Sequence, residues 1–173
     1  MKNILIVSHC ILNNASKVAQ DEAELEKEYE MRNRLLRLAL DKNVQLLQLP
    51  CPEFILYGSR RFGHVKDQFL HPHFRKESVK MLDPVLGQIE EYSQHDSDFR
   101  LLGIVSVEGS PSCGLHLTCR ADWKGEIEER PEAPVMTEEP GAFMEILSEE
   151  LAARELDIPL LTMEDAIGIM EKY

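Results

Sequence analysis

"FRLLGIVSVEGSPSCG", residues 99–114, decides the reading of the fold. Its first nine residues, 99–107, form a short apolar run of the kind that makes a strand buried on both faces of a sheet. The next seven, Glu108–Gly114, hold a proline, two serines, two glycines and Cys113. A loop this short rarely needs so much special chemistry just to turn the chain. Two other apolar runs end in the same way. "NILIVS", residues 3–8, leads into Cys10, and "NVQLLQLP", residues 43–50, leads into Cys51. Pro50 and Pro52 forbid continuation of that second strand.

Helical patterns fill the spaces between these runs. Residues 21–42 carry acids early and bases late, which complements the helix dipole. Residues 73–94 also read as a helix, with Pro84 expected to kink or split it. Residues 138–157 form a third, with Pro140 near its first turn. "IPLLT", residues 158–162, is a short strand. Residues 162–173 open with Thr162 and Asp165 spaced as a capping box and run on as a terminal helix. The stretch that follows Pro52, with "YGSRRFGH" at residues 57–64, reads as a polar loop, and residues 117–136 as an irregular excursion or lid. Strand and helix alternate four times without a repeat, linker or low-complexity tract. The expectation is one α/β domain over residues 1–173, with a mainly parallel, Rossmann-like sheet flanked by helices. Parallel sheets place ligand sites at the carboxyl ends of their strands. Cys10, Cys51 and Cys113 would therefore converge on one edge, a placement that scattered core cysteines have no reason to share.

Composition narrows the function. The chain of 173 residues is 43% hydrophobic and 29% charged, as a globular protein with a real core should be. Its 19 Lys+Arg against 31 Asp+Glu give a net charge of −12. That excludes broad binding to nucleic acid polymers or anionic membranes, which needs a basic face. A small-molecule or protein partner remains. No stretch approaches 18 apolar residues, and the start lacks a cleavage site, so a cytoplasmic location is expected. In a reducing cytosol the four cysteines are not a disulfide frame. Their bland reading is as buried or incidental thiols. Oligomeric state is not written in the sequence.

Three converging thiolates suit two kinds of metal chemistry. They bind zinc, with water or a histidine such as His9 or His116 as fourth ligand. They also hold an iron–sulfur cluster with one iron left open. His9 and His116 read equally well as hydrogen-bonding loop residues, and Cys119, in the irregular segment, as a bystander. Glu53, two residues beyond Cys51, is placed either to serve as a general base or to cap a helix. Ser110 and Ser112 flank Pro111, where turn chemistry competes with substrate contact. Gly109 and Gly114 allow close approach of backbone to a ligand. Arg60, Arg61, His64 and Lys66 concentrate positive charge in an acidic chain. They read as an anion or substrate contact, or as a solvated loop.

Taken together, "SHCIL", "CPE" and "GSPSCG", each after a predicted strand and in this order, resemble the 2-thiouracil desulfurase family, long catalogued as a domain of unknown function. The resemblance extends over roughly residues 3–165. It implies a single α/β domain whose three cysteines hold a 4Fe-4S cluster with one iron lacking a protein ligand. Carried over by position, Cys10, Cys51 and Cys113 would be the cluster ligands, Glu53 the acid/base and Ser110 the active-site serine. After Cys10 the chain reads "ILNNASKVA", where the family has an "LLG" followed by a "CRYDG"-like stretch, so this is a divergent member. The implied activity is non-redox desulfuration of a thiolated nucleobase or similar small thiocarbonyl compound, releasing sulfide. The alternatives are a zinc-thiolate hydrolase, a non-enzymatic carrier of cluster or sulfur, and a metal-free regulatory thiol protein.

Overall fold

Buried Ile4, Leu5, Ile6 and Val7 make up most of strand β1 (Lys2–Val7). In the computed structural model, which describes residues 1–126 and 132–173, β1 is flanked by β2 (Gln45–Gln48) and β3 (Phe99–Val105). β4 (Thr118–Arg120) and β5 (Val135–Thr137) stand apart as an antiparallel pair, and β6 (Leu160–Leu161) joins β3. The main sheet has the order β2-β1-β3-β6 and every pairing in it is parallel. β3 ends in the buried run Leu102–Val105, as a strand covered on both faces should.

Helices supply the crossovers: α1 (His9–Leu12), α2 (Glu22–Asp41), α3 (Pro52–Tyr57), α4 (Pro72–Ser93), α5 (Ala142–Ala153) and α6 (Met163–Met170). α2 packs with α6 and α4 with α5. Buried Leu35, Phe74, Leu86, Phe143 and Leu147 join the strand residues in one core. The α/β class with a mainly parallel sheet is as the alternation of patterns predicts. The capping box of α6 forms as its spacing predicts, with Thr162 Oγ1 accepting from Asp165 N–H at 3.1 Å.

Several local expectations need correction. Pro84 does not split α4, which runs unbroken through it. The proline is exposed while Leu82 and Leu86 are buried, so packing of the opposite face holds the helix while water solvates the freed backbone carbonyl. The stretch before residue 57 is not loop: Pro52 opens α3, where the missing N–H has no helical partner to lose. The helix expected over 138–157 is shorter, Ala142–Ala153, with Pro140 just before its N-cap Gly141. The excursion at 117–136 contains the β4–β5 pair, with residues 127–131 outside the described set. Among the described residues no helix is long and apolar enough to cross a membrane.

Candidate functional site at the carboxyl edge of the sheet

β2 and β3 lie on opposite sides of β1, so the chain reverses direction across the sheet between them. The loops leaving β1 and β3 diverge at such a point and open a crevice at the strand ends. All three cysteine segments lie there. Ser8, fully buried, extends β1 by donating its Oγ to the Val105 carbonyl of β3 at 2.9 Å. Cys10 follows in the first turn of α1. Cys51 is the N-cap of α3, its Sγ accepting from Phe54 N–H at 3.4 Å. Cys113 is buried in the loop after β3.

The thiols are electrostatically coupled. Burial pushes Cys10 up to about 11, with Glu28 and Cys51 adding to the effect and Lys17 opposing it. Burial also raises Cys51, against its hydrogen bond from Phe54. Cys113 is raised well above the ordinary thiol range, by burial first and then by Cys10 and Cys51. Each protein thiol thus resists ionising unless a positive centre compensates. As a donor set, three soft sulfurs at neighbouring strand ends fit iron or zinc. Among the described residues no three His, Cys, Asp or Glu side chains are gathered into a compact metal-binding group. Ligands of one zinc ion must lie roughly 4 Å apart given Zn–S bonds of about 2.3 Å.

The "EGSPSCG" loop owes its shape to internal hydrogen bonds. Ser110 Oγ accepts from Ser112 N–H (3.3 Å) and Cys113 N–H (3.0 Å). The Glu108 carboxylate accepts from the N–H groups of His116 and Leu117, turning the chain back toward β4. The N-terminus of α5 then seals the loop from outside. Gly141 N–H donates to Gly114 O, Ala142 N–H to Pro111 O, and both Phe143 and Met144 N–H to Ser112 O, at 2.9–3.0 Å. These are N–H groups that a helix start leaves without internal partners. Close approach demands glycine twice. A Cβ at Gly141 would stand 2.5 Å from Ser112 O, and one at Gly114 2.0 Å from Leu117 O.

Glu53 links the second and third cysteine segments. It is buried (7% exposed), and its Oε1 accepts from Ser112 Oγ at 2.6 Å. The same Oγ lies 3.5 Å from Cys113 Sγ. On the other side Arg61 Nε approaches Glu53 Oε2 at 3.4 Å, while its Nη1 and Nη2 donate to Gly58 O and Ser16 O. Arg61, 3% exposed, therefore ties the segment after Cys10 to Glu53.

The expected basic cluster does not exist as a unit. Arg60 is exposed, Arg61 is turned inward to Glu53, and Lys66 is buried between Glu139 and Glu145. The His64 ring packs against Tyr57 and Phe69. His9 Nδ1 lies 2.7 Å from Gln48 Nε2 and its ring stacks on Phe54, while His116 is exposed. Cys119, on β4, donates its thiol to His64 O at 3.6 Å. Burial raises it, and so do the charges of Glu53 and Asp67. Sequence reasoning missed the Arg61–Glu53 pair and the α5 seal. "RR" carries no signal of which arginine turns inward, but "PG" at 140–141 marks the stop before α5.

A family described as "Putative 2-thiouracil desulfurase" matches residues 1–126. An uncharacterized protein of Methanocaldococcus jannaschii is 35% identical over 114 residues, covering 66% of this chain and 69% of the relative. No solved structure matches. The match takes in all three cysteines, Glu53 and the whole "GSPSCG" loop, and with 126 of 173 residues inside it the chain belongs to that family.

Proposed function

We propose that this protein is a cytoplasmic, single-domain hydrolytic desulfurase. It converts a thiocarbonyl and water into a carbonyl and hydrogen sulfide, on a thiolated nucleobase or similar small compound. The observation that carries this reading is the line Glu53–Ser112–Cys113, a buried carboxylate joined through one hydroxyl to a buried thiol. Cys10, Cys51 and Cys113 would hold a 4Fe-4S cluster with one iron free of protein ligands. When bound, such a cluster supplies a soft Lewis acid that prefers sulfur to carbonyl oxygen.

The remaining steps belong to the chain. Glu53 takes a proton from water as the oxygen adds to the thiocarbonyl carbon. The C–S bond then breaks as the added hydroxyl becomes the carbonyl, and the departing sulfur takes the proton of that hydroxyl and the one held by Glu53, so it leaves as hydrogen sulfide and no electron acceptor is needed. Ser112 keeps Oε1 oriented, and Arg61 lies against Oε2 with its remaining N–H groups anchored on backbone. In this reading Ser112 is the hydroxyl that works with the carboxylate. Ser110 shapes the loop by holding the Ser112 and Cys113 amides.

Anaerobic reconstitution with iron and sulfide tests both parts. Wild type should gain a brown chromophore with matching iron and sulfide content; zinc retention without colour would favour the hydrolase alternative. Glu53→Gln should keep the chromophore and lose about 10²–10⁴-fold in sulfide release, the usual cost of removing a general base. Near-wild-type release would end the role assigned to Glu53.

A further inference from the structure

A cavity of 330 Å³ is lined by Arg61, the residue that lies against Glu53. Tyr57, Phe62, His64 and Trp123 contribute aromatic walls, and Arg61 and Gln68 contribute polar ones. Arg61 is shared between the cavity and Glu53. The charge of Glu53 also reaches Tyr57, whose hydroxyl is raised by burial first and by Glu53 second.

The aromatic wall is rooted in the core. The rings of Tyr57 and His64 are 4.6 Å apart, those of His64 and Phe69 5.1 Å, and those of Phe69 and Phe74 4.6 Å. Phe69 and Phe74 are fully buried, so the stack is held at its base. Tyr57 and Phe62 are 38% and 66% exposed, large apolar surfaces left at the mouth. Trp123 belongs to the excursion after β4, and its indole N–H donates to Glu132 O at 2.9 Å. That bond anchors the indole at the cavity. Gln68 Oε1 accepts from Val65 N–H at 3.1 Å, which leaves its amide NH₂ as the group it offers a ligand.

From this geometry we infer that the cavity is the ring subsite of the enzyme: a planar heteroaromatic ring stacks among Tyr57, His64, Phe62 and Trp123, its edge toward Glu53 and a ring acceptor on Gln68 NH₂. Stacking tolerates ring identity, because every heterocyclic base has a π-face. The volume falls at the low end for small-molecule pockets and exceeds one pyrimidine, so fused bicyclic rings fit as well. The inference rests on the desulfurase reading for the role of the ring, not for its binding.

The chain has a single tryptophan, so its fluorescence reports on this cavity alone. Uracil, 2-thiouracil and hypoxanthine, titrated separately into as-purified and reconstituted protein, should each change the emission saturably. Phe62→Ala and Tyr57→Leu should weaken binding roughly tenfold, as loss of one stacking partner does. Circular dichroism identifies a variant that has failed to fold, and Phe62, being exposed, provides the variant that folds. Absence of a saturable change with all three rings overturns the subsite. So does unaltered affinity in folded variants, which would place the ring elsewhere. Ring binding without sulfide release from 2-thiouracil by reconstituted wild type would leave the subsite standing and remove the desulfurase reading. Sulfide release without ring binding at Trp123 would do the reverse.

Discussion

The two ends of the sheet differ more in chemistry than in shape. At the amino end a cavity of 510 Å³ is lined by Tyr92, Asp96, Phe99, Arg100 and the turn before β6. It is larger than the aromatic cavity near Glu53, yet no buried carboxylate, thiol or hydroxyl converges on it. At the carboxyl end Ser8, Glu53, Ser106, Ser112, Cys113 and Thr118 are all buried. Buried polar groups are costly unless each finds a partner, so a fold gathers them where function requires it. The two ends are thus told apart by the arrangement of their polar atoms, not by empty volume.

The contrast can be broken by mutation. Cys51→Ala or Cys113→Ala should abolish the iron–sulfur chromophore, whereas Cys119→Ala should retain it; equal loss from Cys119 would enlarge the site to four thiols. Ser112→Ala removes a hydrogen bond to a charged, buried group, normally worth about 1.5–3 kcal/mol. The expected result is a lower urea midpoint and a fall in kcat of roughly 10–100-fold, measured by sulfide release. Arg120→Met probes the hinge of the excursion. Side-chain hydrogen bonds from Arg120 hold Asp67 and Glu139 below the ordinary carboxylate range. Their stabilisation is present above that range and is lost as pH falls through the lowered values. The pairs are about a third exposed, so the effect should be ~1 kcal/mol or less. Denaturation of wild type and variant should differ at neutral pH and converge in acid. Asp157→Ala, at the amino end, should change stability by no more than about 0.5 kcal/mol and leave sulfide release untouched.

Much of this is legible in the sequence. β1, β2 and β3 announced themselves by apolar runs, α2 by acids early and bases late, and α6 by its capping box. Placing Cys10, Cys51 and Cys113 at one edge needed only the rule that parallel strands end on the same side. What stayed hidden depends on contacts distant in sequence. Ser112 meets Glu53 across 59 residues and Arg61 meets Ser16 across 45. No local pattern encodes which of two neighbouring serines or arginines turns inward. Short elements also escaped: α1 has four residues and β4 and β5 three each, too few for a period to register.

The seal formed by α5 bears on how the site is made. Four amides from residues 141–144 satisfy the carbonyls of Pro111, Ser112 and Gly114. All four lie beyond the stretch that the family match covers. A ribosome delivers Cys10, Cys51 and Cys113 well before it delivers these amides. A nascent chain halted after residue 126 would carry every thiol of the site with a loop still free to rearrange. The loop around Cys113 thus gains these four hydrogen bonds only after all three cysteine segments have been made.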